Sequence, residues 1–187
     1  MVEAAYEQFC EFGYRSPTMD AIADRAGVAV QTLYFTFGTK DQLLQAVHEW
    51  TVLGDDPTPP PEQAWYRAAV AEPDVHVALG LVVSGASTIF ARVAPMVPVF
   101  HSVVTEPAGA TYRSAEALRR AGFEDVVEFL RAKSPLRSSV TRARAVDVLF
   151  VLASPETYRA FVLEAGWTPH RWTTWTTQVI GRELFKS

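Results

Sequence analysis

Residues 16–44 read SPTMDAIADRAGVAVQTLYFTFGTKDQLL, and the spacing of apolar side chains within this stretch decides the fold. Met19, Ile22, Ala23 and Ala26 recur at three- and four-residue intervals, which places them on one face of an α-helix. Ser16 or Thr18 can cap that helix through a hydroxyl, and Pro17 suits a first helical position. Gly27 ends it after two turns, because glycine readily takes the left-handed conformation that stops a helix. The spacing predicts another short helix over residues 30–37, with Leu33 and Phe37 facing inward and Gln31, Thr32, Phe35 and Thr36 left outside. Thr39-Lys40-Asp41-Gln42 then reads as a capping box, a hydroxyl at the cap and Gln three residues on. It opens a further helix through Leu43, Leu44, Val47 and Trp50. Two short helices joined by a tight glycine turn, the second with a polar and aromatic outer face, make the physical pattern of a helix-turn-helix. The second helix of such a pair enters a DNA major groove with its early residues at base edges.

The helical period continues on both sides. Ahead of the motif, Val2, Ala5, Phe9 and Phe12 recur at helical spacing and Gly13 follows as a stop. Behind it, residues 54–61 (Gly-Asp-Asp-Pro-Thr-Pro-Pro-Pro) cannot be helical, since proline removes a backbone donor and restricts its neighbour. The main loop is expected there. Further helices are expected over residues 62–71, 75–93, 95–104, 108–121, 123–133, 140–153, 155–165 and 169–185. No stretch alternates apolar and polar residues between turn dipeptides, so the expected fold class is all-α. The domains expected are a helix-turn-helix module over residues 1–46 and a helical bundle over residues 47–187.

The 187 residues are 49% hydrophobic and 20% charged, enough apolar side chain for a sizeable core. The net charge of -4 counts against nonspecific nucleic-acid binding, which draws its affinity from Lys and Arg on phosphates. That deficit sits entirely in residues 1–50, where Arg15, Arg25 and Lys40 face seven acidic side chains. Residues 51–187 hold fourteen of each sign. The single cysteine, Cys10, cannot close an intrachain disulfide, and no charged-then-apolar leader opens the chain, so a reducing cytoplasm is expected. The longest uncharged run, residues 75–91, is broken by His76, Gly80, Ser84, Gly85, Ser87 and Thr88. It reads as a buried helix and not as a membrane anchor.

Gly13-Tyr14, Thr18 to Ala23, Ala26-Gly27-Val28, Thr32-Leu33-Tyr34, Phe37 and Lys40 to Leu44 together resemble the TetR/AcrR family of bacterial transcriptional regulators. The likeness runs without a gap through residues 1–46. It implies an all-helical homodimer with an amino-terminal DNA-binding module and a divergent carboxy-terminal domain that dimerises and binds a small-molecule effector. The expected partners are therefore a double-stranded DNA operator, a small effector and a second copy of the chain, with no membrane and no cofactor. Residue by residue, the resemblance puts Thr18 on a phosphate at a helix start and makes Val30, Gln31 and Thr32 the early residues of the recognition helix. Gln31 is the best reader of a base edge, since Gln pairs most naturally with adenine. Tyr34 and Phe35 are placed against the backbone or thymine methyls, and Lys40 on a phosphate. The same residues also have plainer roles: Thr18 and Thr39 as caps, Tyr34 as partly core, Lys40 as a surface charge.

Two departures from the family pattern stand out. Ala29 replaces the usual serine cap of the recognition helix. Met1 falls inside the expected first helix, where family members carry an earlier turn and a basic arm, so the first helix is expected to be truncated.

In the carboxy-terminal half, Asp147-Val148-Leu149, Ser154 to Arg159, Gly166-Trp167-Thr168-Pro169 and a last helix with Trp172, Trp175 and Val179 look like the final two helices of one family branch. Such helices pair with their copies, which makes Trp172, Trp175, Val179 and Ile180 candidate dimer residues; an intrachain core is the alternative. Phe90, Met96, Phe100, His101, Tyr112 and Phe129 are candidate effector-lining residues, with plain core packing as the alternative. They suit a hydrophobic or aromatic effector. The four histidines show no paired metal-ligand spacing, so no metal is expected. No G-x-S-x-G, G-x-x-x-x-G-K or H-E-x-x-H is present, so an enzyme is not expected. The function expected is a repressor released from its operator by a ligand; the rival is a ligand-sensing module of the same fold that has lost DNA binding.

Overall fold

The computed structural model describes residues 1–54 and 58–186. Among them it is helical throughout, with no β-strand beyond one isolated bridge between Leu136 and Phe185. The chain opens with α1 (Val2–Phe12), α2 (Met19–Ala26), α3 (Val30–Phe37) and α4 (Lys40–Leu53). Thr18, not Ser16, caps α2: its Oγ1 accepts from the Ala21 N–H at 3.1 Å, and Pro17 lies one residue before the cap. At the far end the Gly27 N–H reaches the Asp24 carbonyl and the Val28 N–H reaches the Ala23 carbonyl. This pair of bonds closes a helix when the residue after it is left-handed, and Gly27 is, at φ 67° and ψ 31°.

The turn from α3 to α4 is tighter. The Thr39 N–H bonds the Phe37 carbonyl at 2.8 Å across Gly38, which sits at φ 70° and ψ -65°. A three-residue turn of this hand is rare and strained for any residue with a side chain. A Cβ there would also stand 2.5 Å from Gln42 Oε1, the atom that accepts from the Thr39 N–H in the capping box of α4.

The expected proline-rich loop includes residues 55–57, which lie outside the described residues; Pro60–Glu62 forms a single 3-10 turn. The body comprises α5 (Ala64–Ala71), α6 (Val75–Val93), α7 (Val97–Ser102), α8 (Ala110–Lys133), α9 (Arg142–Leu152), α10 (Pro155–Tyr158) and α11 (Pro169–Leu184). Val75–Ser102 is long and apolar enough to cross a membrane by length and composition, yet more than half of its most apolar stretch is buried inside the fold. Three expectations need correction. The helices expected over 108–121 and 123–133 are one, because Gly122 stays helical and Arg119 anchors the middle of α8 to the carbonyls of Phe150 and Ala153. The helix expected over 155–165 is α-helical only to Tyr158 and continues as a π-helix, Arg159–Glu164. Phe12, on the expected apolar stripe of α1, is half exposed.

Apolar side chains collect in two cores. One lies within the body, between α6, the second half of α8, α9 and α11. The other joins Phe9, Ile22, Leu33 and Leu43 of the first three helices and α4 to Ile89, Met96, Phe100 and Tyr112 of the body. Helix α4 runs straight through the 46/47 boundary and belongs to both sides. His48 lies in this joint at 6% exposure, edge-on to Phe100 at 4.9 Å and to Tyr112 at 6.2 Å. Burial pushes its pKa down from 6.5 to about 4, with the nearby Glu49 charge opposing the shift. Arg92 of α6 donates to the Thr51 and Val52 carbonyls at 3.0 and 3.2 Å and so closes the carboxy-terminal end of α4.

Two predictions follow from this geometry. Gly38→Ala should lower unfolding free energy by about 1–3 kcal/mol, more than Gly27→Ala, whose Cβ meets no atom within 4 Å; urea titration of both variants checks the order. Because His48 is held neutral, its folded pKa lies below its unfolded value. Its contribution is complete above pH 6.5 and is lost as pH falls toward 4, a swing of about 3 kcal/mol. His48→Leu should flatten that limb of the stability–pH profile, and a variant profile parallel to wild type contradicts the assignment.

Candidate nucleic-acid interface

Helix α3 has eight residues and one buried anchor, Leu33. Its exposed face carries Gln31, Thr32, Tyr34, Phe35 and Thr36, with Tyr34 50% and Phe35 93% exposed. Val30 is half-buried and packs on the module core, so it supports the face more than it presents one. Phe37 does the same at the other end. Ala29 at the cap makes no side-chain bond, and the first two N–H groups of α3 point out of the helix with no side-chain acceptor supplied by the cap. The helix therefore offers backbone donors, one amide side chain and two aromatic rings together. Thr36 donates its hydroxyl to the Thr32 carbonyl at 2.8 Å.

A second group of residues gathers where the loop after α1 meets the start of α4. Lys40 Nζ donates to the Arg15 carbonyl at 3.2 Å and lies 4.7 Å from the centre of the Tyr14 ring. Tyr14 donates its hydroxyl to the Asp41 carboxylate. Partial burial holds the Lys40 pKa below its ordinary value, while Asp41 opposes that shift. Arg15 reaches across to Glu106, ahead of α8, at 2.6 Å, with its side chain 79% exposed. Thr18 caps α2 three residues away. Thr18 and Lys40 are among the residues expected from the sequence; Tyr14 and Arg15 join them only through the fold, although an aromatic and a cation immediately before the capping segment are visible in the sequence.

This arrangement sharpens the charge deficit of residues 1–50. Arg25 is engaged by Glu11 at 2.9 Å and Glu7 at 3.8 Å, so it neutralises α1. Arg15 and Lys40 are held by Glu106 and by backbone. Exposed ion pairs of the Arg15 type are worth about 0–1 kcal/mol, so a phosphate can compete for Arg15.

The candidate effector residues do not line one cavity. Phe90 packs edge-on to Trp172 in the body core, at 6.0 Å between ring centres. Met96, Phe100 and Tyr112 belong to the joint with α4, where Phe100 and Tyr112 stack at 5.2 Å. His101 is exposed and sits beside the Tyr112 hydroxyl at 3.3 Å, and that hydroxyl donates to Glu156 at 2.9 Å. Phe129 lies elsewhere, against Tyr66. The candidate dimer residues also divide. Trp172 and Ile180 are fully buried inside the chain, where the faces of α11 that carry them close the body core, as the intrachain alternative has it. Val179 is half-buried and opens, with Val148, Val151 and Leu152 of α9, onto a surface groove of about 590 Å³ edged by Arg144, Asp147, Arg182 and Glu183. Trp175 is half-buried against Phe161 and Trp167.

Among the described residues, three buried side-chain atoms have no hydrogen-bond partner: Trp172 Nε1, Thr176 Oγ1 and Thr177 Oγ1. All three lie on α11. An atom in that state costs about 1–3 kcal/mol.

Residues 1–47 match the family model for bacterial regulatory proteins of the tetR family. No curated protein matches the sequence. Among solved structures, NalD, the secondary repressor of the MexAB-OprM multidrug efflux pump in Pseudomonas aeruginosa, is 18% identical with a TM-score of 0.69, over 100% of this chain and 94% of that one. The transcriptional regulator FadR from Bacillus subtilis, in complex with stearoyl-CoA, is 15% identical with a TM-score of 0.71, over 97% and 96%. A TetR-family transcriptional regulator from Rhodococcus sp. is 13% identical with a TM-score of 0.68, over 98% and 95%. At these identities the structures speak for the fold, and the motif speaks for the module. The amino-terminal module of this chain belongs to the tetR family of bacterial regulatory proteins, and the whole chain has the fold of solved regulators of that kind.

Proposed function

We propose that the chain is a homodimeric transcriptional repressor of the cytoplasm that grips a double-stranded DNA operator and is released from it by a small, mostly apolar effector. The observation that carries the reading is the outer face of α3, where an uncapped helix start, Gln31 and the rings of Tyr34 and Phe35 stand together in solvent. Gln31 would read a base edge, with Thr32 beside it. Tyr34 and Phe35 would pack on sugar or thymine methyl groups. Thr18 at the start of α2 would meet a phosphate with its hydroxyl and the first-turn N–H groups, and Lys40 and Arg15 would hold phosphates on either side. Supporting the effector half of the reading, the similar FadR structure holds stearoyl-CoA.

The self-pairing surface we favour is the groove between α9 and α11. Val151 is 59% exposed there, and Arg144 pairs with Glu183 at 2.5 Å along its edge. An apolar strip edged by both signs of charge suits a two-fold contact, in which each patch meets its own copy. A dimer would set two recognition helices about 34–36 Å apart, one turn of B-DNA. An effector that favours a different spacing would release the operator, provided it binds the two states with different affinity.

Three measurements test this. Fluorescence anisotropy with the DNA flanking the chain's own gene should show that Gln31→Ala loses about 1–3 kcal/mol and relaxes sequence preference at one position, while Arg15→Ala weakens all sequences alike and lowers the salt slope by about 1. Tyr34→Ala and Lys40→Ala should weaken operator binding and leave self-association unchanged. Sedimentation of Val151→Asp should show a monomer where the unaltered chain is a dimer. The commitment of all three cations of residues 1–50 within the chain favours a second reading, a ligand-sensing module without DNA binding; a full-length protein that binds none of that DNA at low salt establishes it.

A further inference from the structure

We propose that Trp172 Nε1 and Thr176 Oγ1 form the hydrogen-bonding end of an effector subsite between α6, α10 and α11, whose ligand is an uncharged, largely apolar molecule with one acceptor oxygen of the ketone or ester kind. This rests on the ligand-released DNA binding proposed above and specifies the chemistry of the effector. Both residues are fully buried and neither atom has a partner. They stand four residues apart, on the same face of α11. An indole N–H only donates, so whatever meets Trp172 must accept. A helical threonine usually satisfies its hydroxyl on the carbonyl one turn back, as Thr173 does on Pro169 at 2.9 Å. Thr176 and Thr177 forgo that bond.

The surroundings fix the rest of the ligand. The Phe90 and Tyr158 rings lie edge-on to Trp172 at 6.0 and 5.2 Å between centres, so a ligand reaching the indole N–H would meet aromatic, apolar neighbours. No Lys or Arg is among the buried residues described, and Arg159, next to Tyr158, is taken up by Glu164 at 3.0 Å and the Ala94 carbonyl at 3.5 Å, so a carboxylate would enter this core with no free counter-charge. Burying an unpaired charge is far more costly than burying a carbonyl that finds donors. Neutral acceptors are therefore favoured over acids.

The neighbouring segment departs from regular α-helix. The π-helix Arg159–Glu164 follows Tyr158 directly, and π-turns are uncommon and concentrate at functional sites. Its Phe161 covers this end of α11 by packing on Trp175 at 4.8 Å. On the opposite side Gly80 of α6 puts no side chain against Thr177; a Cβ there would stand 3.8 Å from the threonine methyl.

The test uses acetophenone and ethylbenzene, two rings of nearly equal size that differ in the carbonyl, titrated into the 15N-labelled full chain. Loss of one indole signal in Trp172→Phe identifies the Trp172 N–H. That signal should move downfield with acetophenone and not with ethylbenzene, and acetophenone should bind about tenfold more tightly. Thr176→Val, close in shape, should cut the preference to about twofold with ethylbenzene affinity unchanged. A Trp172 signal that acetophenone leaves in place, or a full preference surviving in Thr176→Val, overturns the subsite. A response confined to Trp167 or Trp175 overturns it while ligand release of the operator stands. Failure of the unaltered protein to bind its operator overturns that earlier reading and leaves the indole result untouched.

Discussion

The burial of α4 between two sets of helices is the constraint on which the rest of the molecule depends. Leu43, Leu44 and Val47 close the core of the helix-turn-helix, and the same helix places His48 and Thr51 against the body. A module of about fifty residues is marginal as an independent fold, because so much of its surface stays in water. Here the shortfall is met by Ile89, Val93, Met96 and Phe100 of the body, which complete the module's core. The exposed face of α3 is therefore held in place by packing that the body completes. Any motion of the body at α6, α7 or the start of α8 is felt at α4.

Charge acts on a smaller scale than packing. The deficit in residues 1–50 looked like an objection to DNA, yet what its three cations do is local: Arg25 holds α1 to α2, while Lys40 and Arg15 stitch the loop after α1 to α4 and to Glu106. None of these bonds is strong enough to compete with several phosphates at once, since exposed pairs are screened and solvated. Net charge governs the long-range field and hence the rate of encounter. The groups that would distinguish one DNA sequence from another in the proposed reading are on α3, and they are uncharged.

The sequence made the first four helices legible almost to the residue, because each carries its own punctuation: Thr18 and Thr39 as caps, Gly13, Gly27 and Gly38 as stops. The body was harder for a physical reason. Gly122 offered a break that the tertiary anchor at Arg119 overrides, and nothing in the spacing of residues 155–165 distinguishes an α-turn from a π-turn. Site residues followed the same rule. Exposure on α3 could be read from a single buried Leu33, whereas Trp172 and Ile180 could be given a partner chain or a core equally well from their period. Only the packing of Phe90 and Tyr158 around Trp172 decides for the core. The candidate effector residues scattered for a related reason: aromatic side chains at helical spacing fill two separate cores here, and sequence cannot tell which.

The connection between these cores runs through α6. Its middle faces α11, where Gly80 meets Thr177 and Gly181 approaches His76 and Leu79. Its far end carries Arg92, whose guanidinium holds the last carbonyls of α4, and Val93, which lies in the joint with the module. A helix transmits displacement along its axis with little loss, because its hydrogen bonds run the length of it and each side chain is wedged by its neighbours. Gly80 and Gly181 let α6 and α11 pack closely, and the Arg92 bonds tie the far end of α6 to α4. Helix α9 is joined to α8 and α11, through Arg119 on its Phe150 carbonyl, Arg120 on Asp147 and Arg144 on Glu183. In the proposed reading, the link through α6 is the route by which a ligand seated against α11 would change the spacing of two recognition helices.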